Sequence, residues 1–251
     1  MKRISAVLCC FAILFAVNTS AQTAKKKAPK KITTVKTVKV KKTAPKVQNV
    51  VTENLADNSV KVKITTDSGI MIIKLYDSTP LHRDNFVKLV KEKFYDSLLF
   101  HRVINEFMIQ GGDPLSKNAA PGTMLGSGGG DMTRIPAEFR KTYFHKRGVL
   151  SAARDNNPEK ASSACQFYIV QGKVYPDAEL NMMELSRGSK FSAEERLAYR
   201  TLGGTPFLDQ NYTVFGEVIS GMAVIDKIAR VQKDQANRPV GDIRMKIELI
   251  K

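Results

Sequence analysis

The chain of 251 residues has only three cysteines, and two of them, Cys9 and Cys10, fall within its first ten positions. Past residue 21 only Cys165 remains, so that stretch cannot form an intrachain disulfide. A segment this long can bury its own core without one. The lone thiol reads as buried and inert rather than as a redox centre. Histidine is also scarce. His82, His101 and His145 are the only three, and no two stand at metal-ligand spacing, so no metal site is expected. The chain shows no nucleophile elbow and no dinucleotide fingerprint. Its glycine-rich stretch, Pro121 to Gly130, is not followed by Gly-Lys-Ser/Thr. It reads as a permissive surface loop rather than a phosphate cradle. The common hydrolytic and redox chemistries therefore have no positive support, and no cofactor is expected.

Long apolar runs are missing as well. The longest, Ala6 to Val17, spans roughly 12 residues, whereas a membrane-crossing helix needs about 20. It follows Lys2-Arg3 and precedes Thr19-Ser20-Ala21. That order reads as a secretory signal over residues 1–21, cleaved after Ala21. Residues 22–48 hold ten lysines and no acidic residue. Self-repulsion and few bulky apolar groups predict a disordered Lys-rich linker. The linker is either a solvated spacer or a binder of an anionic envelope surface. The formal charge of +16 is mostly a property of these two segments, because residues 49–251 carry 28 basic against 24 acidic residues. An exported, periplasmic or envelope-associated monomer is expected, with no nucleic-acid partner.

Residues 49–251 are long enough for one full core. Val60 to Thr65 alternates apolar and polar, Asp67-Ser68-Gly69 turns the chain, and Ile70 to Leu75 returns, which predicts a hairpin. Thr79-Pro80 opens a helix, with Thr79 as its cap. Phe86, Leu89, Val90 and Phe94 recur at helical spacing on it. Further strands are expected at 98–103, 107–111, 149–153, 166–170, 213–218 and 243–249. A late helix runs from Met222 to Arg230. Many short strands with few helices favour a sandwich or a closed antiparallel barrel. Residues 176–201 read as a helical insertion, with Leu180, Met183 and Arg187 on one face and a capping box at Ser192 to Glu195.

Arg102 stands among Phe100, Val103 and Ile104, so its strand lies against the core. Taken alone, it is either a structural ion-pair partner or a functional cation. Gln110, Gln166 and Tyr168 place polar groups inside apolar segments, and alternation puts Gln166 and Tyr168 on one face with Phe167 on the other. Phe107, Met108, Phe207 and Leu208 add apolar bulk without a reactive atom. One guanidinium, two amides and several large apolar side chains suit an apolar peptide pocket.

The segments FHRVINEFMIQGGD (100–113), GVLSAAR (148–154), CQFYI (165–169) and FLDQNYTVFGEV (207–218) together resemble the cyclophilin family of peptidyl-prolyl cis/trans isomerases. The resemblance runs from about Val60 to Leu249, broken mainly at 173–204. It implies an all-β fold, a closed eight-stranded antiparallel barrel capped by two helices, here with the helical insertion. It implies cis/trans isomerisation of X-Pro bonds in proline-containing unfolded or partly folded polypeptides, without a cofactor. With the signal peptide, those substrates would be exported proteins. The alternative is a non-catalytic peptide-binding or envelope scaffold protein on the same fold. The resemblance makes Arg102 catalytic. It places Phe107, Met108 and Leu208 in a proline pocket, Gln110 beside Arg102, and Ala153 and Gln166 along the peptide groove.

Other groove positions depart from the best-known pattern. Phe207 stands where many members have tryptophan, Tyr212 where many have histidine, Tyr168 in place of phenylalanine and Arg154 in place of asparagine. Ser163-Ala164-Cys165 replaces Asn-Gly-Ser. His101 beside the arginine points away from the pocket by strand alternation and reads as structural.

Overall fold

A computed structural model describes residues 59–250 of the chain. The signal segment, the Lys-rich linker and the first residues of the domain lie outside the described residues. The described residues fall within one unit, Asn54–Lys251.

The first hairpin forms where alternation predicts it. Strand β1 (Lys61–Thr66) pairs with β2 (Gly69–Leu75), and Thr66 stands opposite Gly69. The Thr66 hydroxyl donates to the Gly69 carbonyl and accepts from the Ser68 N–H, which ties the turn. Gly69 has φ of 137°, and a Cβ there would lie 2.8 Å from Val224. Both facts restrict the position to glycine. Helix α1 (Pro80–Lys91) follows and buries Phe86, Leu89 and Val90. Thr79 does not cap it. Its hydroxyl donates back to the Tyr76 carbonyl. The buried Glu138 carboxylate, far along the chain, accepts instead from the N–H groups of Leu81 and His82 and bonds His82 Nδ1 at 2.7 Å. A carboxylate at that end also interacts favourably with the positive end of the helix dipole.

The remaining strands are β3 (Arg102–Ile104), β4 (Met108–Gly111), β5 (Val149–Ala152), β6 (Phe167–Val170), β7 (Val214–Ser220) and β8 (Lys246–Ile250). Their order across the sheet is β3-β4-β6-β5-β7-β2-β1-β8. Every pairing is antiparallel. The closed barrel is therefore corrected to an open half-barrel, because the end strands β3 and β8 do not pair. The reason lies in where the edge groups of β3 go. The Val103 N–H donates to the Asn237 carbonyl of a loop. The chain segments ahead of β3 and β8 do meet, through an isolated bridge at Leu99 and Arg244 and backbone bonds from Ser97 and Phe100 to the Met245 and Ile243 carbonyls, but this contact does not extend into the strands themselves. The strand expected at 98–103 accordingly begins later, at Arg102.

One core cluster fills the hollow of the half-barrel, with Val62, Ile64, Ile73, Val103, Ile109, Leu150, Phe167 and Ile169 from the sheet. Helix α1 adds Phe86 and Leu89. Helix α4 (Met222–Ala229) adds Val224, Ile225 and Ile228. Burying each such side chain is worth about 1.5–3 kcal/mol. Phe86, Tyr95 and Phe167 meet with ring centroids 5.0–5.6 Å apart.

Between β6 and a 3-10 turn at Pro206–Leu208 stand α2 (Asp177–Arg187) and α3 (Ala193–Thr201). Ser192 and Glu195 form the capping box of α3. This helix pair has its own small core of Phe144, Tyr175, Leu180, Phe191, Ala198 and Tyr199, with Met183 against it.

Candidate active site

Strand alternation separates the core from the site. Val103, Ile109, Ile169 and Leu150 lie side by side across β3, β4, β6 and β5, and all four belong to the core. One residue along each strand, Arg102, Gln110, Tyr168 and Ser151 form the neighbouring row. Successive side chains in a strand point to opposite faces, so this row lies on the outer face of the sheet. There Met108, Val149, Tyr168, Val170 and Val214 make a second apolar cluster, with Phe107, Ala153, Leu208 and Tyr212 packed against it.

On this face a depression of about 160 Å³ is lined by Arg102, Phe107, Met108, Gln110, Ala153, Arg154, Tyr168, Leu208 and Tyr212. Nine of the eleven residues singled out from the sequence thus share one cavity. The other two stand beside it. Phe207 is 55% exposed and tilts against Phe107 at 5.6 Å, a rim position. Gln166 lines an adjoining cavity of about 220 Å³, which shares Gln110, Ala153 and Arg154 with the first.

The polar groups form one directed chain. Arg102 Nη1 donates to Gln110 Oε1 at 3.1 Å, and Gln110 Nε2 donates to Gln166 Oε1 at 3.1 Å. Gln166 Nε2 then donates to the carbonyls of Gly126 and Gly128 at 2.9 and 3.0 Å. Because each amide has one acceptor oxygen and one donor nitrogen, both orientations are fixed. The half-buried Arg102 guanidinium is held on one side, and among the described residues it enters no ion pair. Burial pulls its pKa below the usual arginine value. Arg154 is tied down by the Asn211 and Asp155 carbonyls and lies 4.7 Å over the Tyr212 ring. A cation beside an apolar cavity whose described lining holds no serine, cysteine, lysine or histidine can bind and polarise a neutral group.

The family model for cyclophilin type peptidyl-prolyl cis-trans isomerase matches residues 61–248. The chain belongs to this family. It is a cyclophilin, and hence a peptidyl-prolyl cis-trans isomerase. Relatives assigned as peptidyl-prolyl cis-trans isomerases in Staphylococcus haemolyticus and Staphylococcus epidermidis are each 36% identical over 192 residues, covering 76% of this chain and 91% of theirs. Among solved structures, a cyclophilin-type isomerase of Cryptosporidium parvum aligns with a TM-score of 0.57 at 23% identity, over 77% of this chain and 98% of that one. That likeness speaks for the fold.

The cyclophilin site also uses residues that sequence reasoning passed over. The loop at Pro121 to Gly130 walls the second cavity rather than merely crossing the surface. The buried Asp113 carboxylate accepts from the Gly126 and Leu115 N–H groups, and a Cβ at Gly128 would lie 2.0 Å from it. The Asp of QGGD was the available signal. Asp209, directly after Leu208, and His145 were missed too, and both are buried. Cys165 is buried, and burial raises its thiol pKa, as an inert cysteine requires.

His101 is 2% exposed, and neither ring nitrogen finds a hydrogen-bond partner. Burial lowers its pKa from the ordinary 6.5 to about 4. Between those values the unfolded chain binds the extra proton. The stability due to a neutral His101 is therefore complete above pH 6.5 and is lost as pH falls toward 4, by about 3 kcal/mol in all. Burial lowers His82 in the same direction. Urea unfolding of the wild type and His101→Phe at about pH 7 and pH 4.5 tests this. The variant should lose clearly less stability on acidification; an equal loss in both removes His101 as the cause.

Proposed function

We propose that this cyclophilin acts after export, isomerising X-Pro bonds of incoming polypeptides, with Arg102 as its catalytic residue. What supports the assignment is a half-buried arginine with no ion pair among the described residues, oriented by Gln110 at the edge of an apolar cavity.

The reading follows from the chemistry of the bond. Amide resonance sets a rotation barrier of about 18–20 kcal/mol. In the twisted transition state the prolyl nitrogen loses resonance and regains a lone pair. A guanidinium N–H aimed at that nitrogen makes a bond that is weak in either planar ground state. This is stabilisation specific to the transition state. Phe107, Met108 and Leu208 hold the proline ring while the preceding carbonyl swings. Gln110 keeps Arg102 in place and offers polar atoms to the peptide backbone. Ala153, Arg154 and Gln166 border the groove for the residues that flank the proline, and Tyr168, Tyr212 and Phe207 complete its walls. No proton transfer is needed.

Export rests on residues 1–21, and envelope association on the ten lysines of residues 22–48. In fractionated cells, the chain should be recovered outside the cytoplasm with Gln22 at its N-terminus. A cytoplasmic chain that keeps Met1 would refute export. Envelope pull-down of residues 22–251 should fall sharply at high salt, since exposed charges are screened within about 10 Å at 0.1 M. Residues 49–251 should bind weakly at any salt, and equal retention of both chains would leave the tail as a spacer.

A further inference from the structure

The outer wall of the candidate proline pocket is tied to the α2–α3 helix pair by an unbroken buried chain of hydrogen bonds. Asp209 stands at its centre. Its Oδ1 accepts from the His145 backbone N–H at 2.8 Å and meets His145 Nδ1 at 3.0 Å. Its Oδ2 accepts from the Tyr199 hydroxyl at 2.6 Å, with Arg187 Nη1 3.9 Å away. His145 Nε2 lies 3.0 Å from the Tyr168 hydroxyl, and the two rings are stacked. Tyr199, His145, Asp209 and Tyr168 are all buried, the first two completely.

The direction of each bond follows from what each group can do. A carboxylate only accepts, so a neutral His145 ring carries its proton on Nδ1. Nε2 is then an acceptor, and the Tyr168 hydroxyl must donate to it. Every polar atom of the chain has one role, and removing any donor leaves a buried acceptor short. One end of the chain and its centre bear on the pocket. Tyr168 lines it directly. Asp209 follows Leu208, another lining residue, in a turn where Leu208 N–H donates to Thr205 O and Thr205 N–H donates to His145 O. The far end is Tyr199 on α3, which packs with Phe144 and Phe191 in the separate core of the helix pair.

We propose that Tyr199 is a positioning residue for substrate binding: through Asp209 and His145, the α2–α3 pair sets the places of Leu208 and Tyr168 around the proline ring. The helix pair then controls how tightly this isomerase holds X-Pro substrates, although it contributes no residue to the cavity. The inference rests on the reading of that cavity as the proline pocket.

Tyr199→Phe removes one hydroxyl and keeps the ring. It should raise KM for a short X-Pro peptide roughly 3–10-fold, the worth of one buried hydrogen bond. Because Arg102 is held by a different chain, kcat should stay close to the wild-type value. Tyr168→Phe cuts the same chain at its other end, so the double variant should be no worse than the weaker single. Tyr175→Phe is the control. Tyr175 packs in the same small core but outside the chain, and its KM should match the wild type. The Leu208 methyl NMR signals should shift in Tyr199→Phe and not in Tyr175→Phe. Wild-type KM in Tyr199→Phe, additive losses in the double variant, or an equal rise in Tyr175→Phe would each overturn the proposal. A wild type that does not accelerate exchange at all would instead sink the proline-pocket reading. The methyl signals would still decide the relay, since unmoved Leu208 methyls overturn it and displaced ones support it.

Discussion

Arg102→Ala is expected to lower kcat/KM for X-Pro isomerisation about 100- to 1,000-fold, the usual cost of removing one donor aimed at developing charge. The fold should barely notice. Arg102 is half-buried, and its one side-chain hydrogen bond among the described residues goes to Gln110, so deletion leaves a single amide oxygen to find another donor. A proline-limited refolding assay gives the rate, and the circular dichroism melt of the same sample gives stability. Arg102→Lys is the informative companion. Lysine keeps the charge but not the planar fork that can donate to Gln110 and to a prolyl nitrogen together. It should recover little of the lost activity. Catalysis by the alanine variant at the wild-type rate would take Arg102 out of its role and leave the cavity as a binding surface.

Glu138→Ala should have the largest effect on stability, about 3–5 kcal/mol. Its buried carboxylate accepts two N–H groups from the first turn of α1 and bonds His82 Nδ1. The other His82 nitrogen lies 2.9 Å from the Ser162 hydroxyl. Alanine leaves those helix donors unmet inside the protein and removes the negative charge that the helix N-terminus favours. Serine, histidine and glutamate in a row suggest a catalytic triad, but Ser162 is only 1% exposed, so the row serves structure. Urea unfolding should show a midpoint shift with an unchanged slope. Glu138→Gln, which keeps an acceptor oxygen, should recover part of the loss. A midpoint within experimental error of the wild type for the alanine variant would mean that another group caps α1.

The candidate site was largely legible because it is local. Arg102, Phe107, Met108 and Gln110 come from one stretch of nine residues, and a period of two places Arg102 and Gln110 on the face opposite Val103 and Ile109. Tyr168 followed from the same alternation in a second strand. Other parts were not legible, because their partners are distant in sequence. Thr79 has the composition of a helix cap, yet Glu138 does the capping from 57 residues beyond Leu81. The glycine-rich loop gave its flexibility away, but not that Gln166 would reach its carbonyls across 40 and 38 residues. Phe207 belongs to the same motif as Leu208, yet the 3-10 turn that brings Leu208 into the cavity leaves Phe207 on the rim.

By itself the sequence determined the elements, the faces they bury and the family, since hydrophobic period and ordered motifs are properties of neighbouring residues. Only the tertiary structure decided how the sheet ends. A strand edge pairs with whatever backbone reaches it, and at β3 that is the Asn237 carbonyl of a loop rather than β8. It also decided that Asp209, His145 and Tyr199 join behind the cavity. Buried polar groups must find partners wherever the packed chain presents them, and no local pattern records which distant residue that will be.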